Sequence, residues 1–252
     1  MPQQSQHHAA LITGAGRRIG AAIARALVGA GYTVVLHANR SRAEAEKLAG
    51  EIVARGGRAS VVLAELTDQD AVRGLVKAAA AFGPLTLLVN NAAAFEPDDI
   101  ATLERARFER TLAVNLMAPL FLSQAFAAQA PDGASIVNIV DQRVLKPTPL
   151  FFSYTLSKSA LQTATVTLAQ ALAPKIRVNA VAPGPTLPSP RQSAAQFAEQ
   201  AASLPLQKGP TSEDIAAAVL YLAQAQSVTG VTIAVDGGQH VAWRTPDSDV
   251  AE

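Results

Sequence analysis

Cysteine is absent from all 252 residues, which excludes disulfides, thiolate nucleophiles and zinc–thiolate sites. Histidine is scarce. His7, His8, His37 and His240 show no ligand spacing beyond one adjacent pair, so no metal is expected. An excess of one charge is also missing: Lys+Arg 21 against Asp+Glu 20 leaves +1. Nothing in that balance would draw nucleic acid or an anionic membrane surface. Apolar runs such as 85–89 fall far below the ~18 residues of a membrane span. The opening 1–8 is polar and lacks the basic-then-apolar order of a secretory signal. A cytoplasmic chain is therefore expected, with small molecules or copies of itself as partners. Charged residues make up only 16% of the chain against 49% hydrophobic, a composition that folds around a sizeable core and excludes disorder for the bulk of the sequence.

What is present alternates. Short β-prone runs near 9–13, 33–37, 60–63, 85–90, 135–140, 176–181 and 232–235 predict seven strands. Alanine-rich stretches of helical spacing lie between them, near 19–29, 42–55, 68–82, 103–129, 152–173 and 212–223. This is the pattern of a parallel sheet covered by helices on both faces. One segment breaks the rhythm: 183–190 is dense in proline and leads into a polar, alanine-rich stretch ending near Leu204. It reads as a long loop carrying a small helix, and long loops inside compact domains are often lids or binding segments.

Three motifs carry chemistry. Thr13-Gly14-Ala15-Gly16-Arg17-Arg18-Ile19-Gly20 follows the first strand and opens a helix, the context in which backbone amides approach a pyrophosphate. About twenty residues on, a chain selecting NAD would place a carboxylate on the ribose hydroxyls. The sequence there is His37-Ala38-Asn39-Arg40-Ser41. Arg40, the Ser41 hydroxyl and Arg17 suit a 2′-phosphate instead, so NADPH is the expected cofactor. Finally, Tyr154 and Lys158 stand four apart and share one face of a helix. A neighbouring ammonium favours phenolate and is expected to bring the tyrosine down toward the range of a general acid.

Taken together, these motifs resemble the short-chain dehydrogenase/reductase family from Leu11 to about Gly238. Further matches are Asn90-Asn91-Ala92, Asn115, Pro183-Gly184 and Asp236-Gly237-Gly238. The resemblance implies an α/β fold: a doubly wound, Rossmann-type parallel seven-stranded sheet in the order 3-2-1-4-5-6-7, with ligands at the carboxyl ends of the strands. It further implies that Tyr154 donates the proton, that Lys158 holds the nicotinamide ribose and tunes Tyr154, that Asn115 supports a proton-relay water, and that the assembly is a homotetramer.

Two departures sharpen the reading. Arg18 stands where the family commonly has glycine, and Asp141 occupies the place of a serine, thirteen positions before Tyr154. A serine hydroxyl can donate to the developing alkoxide of a ketone, whereas an ionised aspartate cannot donate and would repel it. Asp141 suits a substrate with N–H donors or a ring nitrogen awaiting a proton. These features, with the 36–41 stretch and Phe95 after Asn-Asn-Ala, are similar to those of the pteridine reductases and dihydromonapterin reductases. That similarity implies that Arg18 approaches both cofactor and substrate and that Phe95 stacks a pterin ring. Residues 1–252 are expected to form a single NADP-binding reductase domain, with flexible tails at 1–8 and 243–252 and a substrate-covering loop at 184–205. Cofactor contacts are expected from Gly14, Gly16, Arg17, Arg18, Ile19, Gly20, His37, Asn39, Arg40, Ser41, Asn91, Lys158, Pro183 and Gly184. Substrate contacts are expected from Arg18, Phe95, Asp141 and Tyr154. An NADPH-dependent carbonyl reductase of a ketone, sugar or acyl-thioester is the alternative enzyme, and a non-catalytic NADP-binding regulator the alternative outside catalysis.

Overall fold

Seven strands form one parallel sheet in the order β3-β2-β1-β4-β5-β6-β7, in a computed structural model that describes residues 8–243. The expected tails lie outside those residues except for His8 and Trp243. The strands are β1 (Ala9–Ile12), β2 (Thr33–Ala38), β3 (Ala59–Leu63), β4 (Leu85–Asn90), β5 (Ala134–Ile139), β6 (Ile176–Pro183) and β7 (Thr232–Val235). The helices are α1 (Arg18–Gly29), α2 (Arg42–Ala54), α3 (Gln69–Ala80), α4 (Arg105–Leu112), α5 (Ala118–Gln129), α6 (Phe152–Leu172), α7 (Ala194–Ala202) and α8 (Ser212–Gln224).

Consecutive strand residues divide between the two faces, as the two-residue strand period requires. Ile12, Leu36, Val89 and Val137 pack with Ile23 and Leu27 of α1 and Val219 and Leu222 of α8. Their neighbours Leu11, Val35, Leu88 and Ile136 face the other way, against Leu75 of α3 and Leu122 and Phe126 of α5. Burial on both faces is why the central strands read as continuous apolar runs rather than alternating ones. Polar caps set several helix starts: Asp68 accepts from the N–H groups of Asp70 and Ala71 at α3, and Thr211 forms a capping box with Asp214 at α8.

The structure differs from the sequence pattern in two places and matches it in a third. The single helix expected over 103–129 is α4 and α5 joined by a π-helical turn at Ala113–Met117. By length and composition its run Arg105–Gln129 is long and apolar enough to cross a membrane, which a search for short apolar runs does not register. Here it is a core helix, since Leu122 and Phe126 are buried beneath the sheet. A short 3-10 turn, Gln142–Val144, follows β5. The proline-dense segment does carry its small helix, α7, whose start is closed by a capping box between Ser193 and Gln196.

Close approach dictates one glycine at the end of β6. A Cβ on Gly184 would sit 2.6 Å from Asp236 Cα and 2.9 Å from Asp236 O, whereas one on Gly50 in α2 would meet nothing within 4 Å. Gly184→Ala is expected to destabilise the fold by about 1–3 kcal/mol through overpacking. Gly50→Ala is expected to stabilise it by about 0.5–1 kcal/mol through helix propensity. Thermal unfolding of the two variants beside the parent checks both signs.

Candidate active site

In a parallel sheet every strand delivers its carboxyl end to the same edge, and the functional side chains collect there. Two adjoining cavities of about 370 and 520 Å³ open along that edge. They share Arg18, Ile19, Asn91, Ala93 and Phe95, so they form one cleft with two ends.

The larger end is built by the glycine turn. Gly14 has φ +64°, which glycine adopts without steric cost. A Cβ on Gly20 would lie 2.4 Å from Gly14 O and 2.7 Å from Asn91 Nδ2, so only glycine lets the turn and helix meet. At the start of α1, Arg17 makes no side-chain cap, leaving the N-terminal amides available to an anion. Arg17, Arg40 and Ser41 line the same wall, two cations and a hydroxyl fit for a 2′-phosphate. The residues present thus fit a phosphorylated dinucleotide.

Several expected residues brace this wall, and all of them but Gly16 also line the cleft. Gly16 does not line it; a Cβ there would press on Ser41 O and Ala45 N, both at 3.1 Å. His37 is buried, with Nδ1 accepting from Gly14 N–H at 3.2 Å and Nε2–H donating to Ala64 O at 3.1 Å. Burial pushes its pKa below the usual imidazole value, so the ring is a neutral brace under the turn. Asn91 donates to Thr13 O at 2.8 Å and Gly14 O at 3.1 Å. Asn39 donates to Glu65 at 2.7 Å. Glu65 itself lines the larger end, a carboxylate that scanning the end of β2 overlooked. Its signal was Glu65-Leu66-Thr67 directly after the third strand.

The smaller end gathers Tyr154, Lys158, Asp141, Phe95, Pro183 and Gly184. Tyr154 and Lys158 lie one turn apart on α6, whose first turn is held by buried Asp98 accepting from Ser153 N–H at 3.1 Å. Lys158 is 1% exposed and donates to Ile139 O at 2.6 Å. Burial brings its ammonium down to about 8, with the charge of Asp141 pulling the other way. Tyr154 donates to Asp141 Oδ2 at 3.1 Å. The expectation of a lowered tyrosine is overturned: burial, then the negative charge of Asp141, raise it well above its usual value, with Arg143 opposing. The lysine is 5.8 Å from the ring centroid, while the carboxylate touches the hydroxyl itself. Tyr154 is therefore held as a protonated phenol, the form that can donate.

Asn115 sits inside the π turn, fully buried. Its Oδ1 accepts from Ala94 N–H at 2.7 Å, and its Nδ2 donates to Ala94 O at 2.9 Å and Ser157 Oγ at 3.0 Å. The side chain thus ties the strand leading to Phe95 to the tyrosine helix. Phe95 stacks on Phe151 with centroids 4.4 Å apart and planes 2° apart, and meets the Tyr154 ring edge-on at 4.7 Å. Arg18 has φ +55°, which accounts for glycine being common at this position. Its guanidinium donates to Pro188 O at 3.0 Å and Leu187 O at 3.3 Å, tethering the 184–205 segment at the cleft. Arg191 from that segment donates to Phe95 O at 3.1 Å. Phe151, Arg143 and Arg191 carry no motif, so the sequence offered nothing to single them out.

Known proteins repeat this architecture. Residues 14–240 match a family model described as enoyl-(acyl carrier protein) reductase. An uncharacterised oxidoreductase of Methylorubrum extorquens is 38% identical over 240 residues, covering 91% of this chain and 96% of its own. Pteridine reductase 1 of Leishmania tarentolae is 34% identical, with 91% and 95% covered. Among solved structures, FolM alternative dihydrofolate reductase 1 from Brucella canis, complexed with NADP, superposes with a TM-score of 0.93 at 49% identity, covering 98% of each chain. Its counterpart from Brucella suis, also with NADP, is 51% identical with a TM-score of 0.91, covering 94% of this chain and 97% of its own. With the glycine turn, the Tyr154–Lys158 pair and the sheet order all in place, the chain belongs to the short-chain dehydrogenase/reductase family.

Proposed function

We propose that this protein is an NADPH-dependent oxidoreductase that reduces a pterin or related dihydropteridine, and that residues 1–252 act as a single reductase domain with 184–205 covering the substrate. The observation that carries the reading is the Asp141 carboxylate bonded to Tyr154 at 3.1 Å. It places an anionic acceptor where reduction of a ketone needs a donor. The NADP held by both Brucella reductases and the name of the Leishmania relative support the same assignment.

When bound, NADPH supplies the hydride. Gly14, Ile19 and Gly20 admit its pyrophosphate to the start of α1, and Arg17, Arg40 and Ser41 hold the 2′-phosphate. Gly16, His37, Asn39 and Asn91 keep that wall in shape. Lys158, Pro183 and Gly184 border the nicotinamide end. Phe95, backed by Phe151, offers an aromatic wall for the pteridine, and Arg18 joins the two ends of the cleft. As the ring C=N becomes CH–NH, Tyr154 gives its phenolic proton to the nitrogen and Asp141 Oδ2 accepts from a substrate N–H. Asn115 holds the frame in which a relay water returns the proton to Tyr154. In this reading the protein works as a cytoplasmic homotetramer, and sedimentation of the purified protein is expected to give four subunits.

Arg40→Ala removes a charge-assisted partner of the 2′-phosphate, typically worth about 1.5–3 kcal/mol. NADPH affinity is expected to fall about tenfold or more with little change for NADH. Fluorescence titration with both cofactors checks this, and equal losses would contradict the phosphate assignment. Asp141→Ser restores a donor where an alkoxide would form. Its ratio of kcat/KM for a dihydropterin over that for a small activated ketone is expected to drop by about tenfold or more, or about 1.4 kcal/mol of differential transition-state binding. An unchanged ratio would remove the chemical basis of the pterin assignment.

A further inference from the structure

Asp141 can serve Tyr154 and a substrate only if its carboxylate points one way, and the structure shows what aims it. The Oδ1 oxygen accepts twice from Arg143, from the backbone N–H at 2.9 Å and from Nη1 at 3.0 Å. That leaves Oδ2 toward the Tyr154 hydroxyl at 3.1 Å, with Nη1 also within 3.3 Å of it. The side chains of the pair are 20% and 15% exposed, so the attraction is far less screened than at a surface.

The other side of Arg143 is equally committed. Its guanidinium carbon lies 5.3 Å from the centroid of Phe151 and 5.7 Å from that of Phe95, within cation–π range of both rings of the stack. One planar side chain thus connects the carboxylate to the aromatic wall. The competing cation is Lys158, whose charge Asp141 already supports. Without the guanidinium, Oδ1 keeps only the backbone N–H of Arg143, and a turn of the carboxylate away from Oδ2's present direction would strip Tyr154 of its acceptor.

From this arrangement we infer that Arg143 is a positioning residue of the reaction: it acts through Asp141, aiming Oδ2 at Tyr154 and the substrate, and registers the Phe95–Phe151 wall against that oxygen. The inference rests on the assignment of Tyr154 and Asp141 to proton handling. A lysine is a poor replacement, because it keeps the charge but has neither the fork nor the plane that stacks on the rings.

The test is a double-mutant cycle on the NADPH-loaded full chain with Arg143→Ala, Asp141→Asn and the double variant, plus Arg143→Lys. Turnover is measured on a dihydropterin and an activated ketone, NADPH affinity by fluorescence, and folding by thermal melting. Arg143→Ala is expected to lower dihydropterin kcat about 10- to 100-fold, the range for losing a hydrogen bond to a charged group, at unchanged NADPH affinity. In the Asp141→Asn background the same change is expected to cost at least about threefold less than in the parent, because the charged group it acts through is gone while its contact with the rings remains. Arg143→Lys is expected to fall between alanine and parent. Parental kcat in Arg143→Ala, or a full loss in the Asp141→Asn background, overturns the inference. If the alanine variant fails to fold, Arg143→Lys in both backgrounds decides by the same criterion. Reduction of the ketone alone by the parent chain overturns the pterin assignment and leaves the cycle to be read on the ketone; reduction of neither overturns both.

Discussion

The ammonium of Lys158 is buried to 1% exposure at the end of β5, and the organisation of the catalytic end follows from the cost of keeping a charge there. A buried cation needs an acceptor and a nearby counter-charge. Ile139 O provides the first and Asp141 the second. Burial and, after it, the carboxylate placed there raise Tyr154 further above its usual value, so it is a phenol at neutral pH. Arg143 opposes the effect of that carboxylate on the hydroxyl. The four groups form one electrostatic unit, and altering any one changes the work of the others.

The sheet makes that unit possible. Parallel strands bring Ile139 and Asp141 from β5, Pro183 and Gly184 from β6, and the Asn91–Phe95 segment from β4 to one edge. The π turn in the long helix then lets Asn115 reach across to Ala94 and Ser157. An extra residue in a helical turn reorients its side chains, which is why such turns recur at functional sites. On the opposite wall, Arg18 adopts a left-handed backbone that costs of order 1 kcal/mol, and its two bonds to Leu187 and Pro188 offset that strain while anchoring the covering segment.

The seven strands were legible in the sequence because short β-prone runs and the helical spacing between them are local patterns, whereas their order and the place of the cleft came from the family resemblance that the glycine turn and the other motifs carry. Tyr154 and Lys158 were legible from local spacing too: four residues on a helix put two side chains on one face. The direction of the tyrosine's shift was not. Spacing along the chain revealed the lysine but not that the Asp141 oxygen would be the nearer charge.

By itself, then, the sequence determined the fold class, the dinucleotide-type turn, the phosphate-suited Arg17, Arg40 and Ser41, and the unusual Asp141, all of which depend on residue type and short-range spacing. Tertiary structure alone decided that His37 is a neutral brace, that Glu65 lines the larger end of the cleft, that Phe151 backs Phe95, and that Arg143 bonds Asp141. Each of those is a matter of distance and direction between side chains on different elements or of opposing orientations within one turn, and of the burial that turns a modest charge interaction into a decisive one.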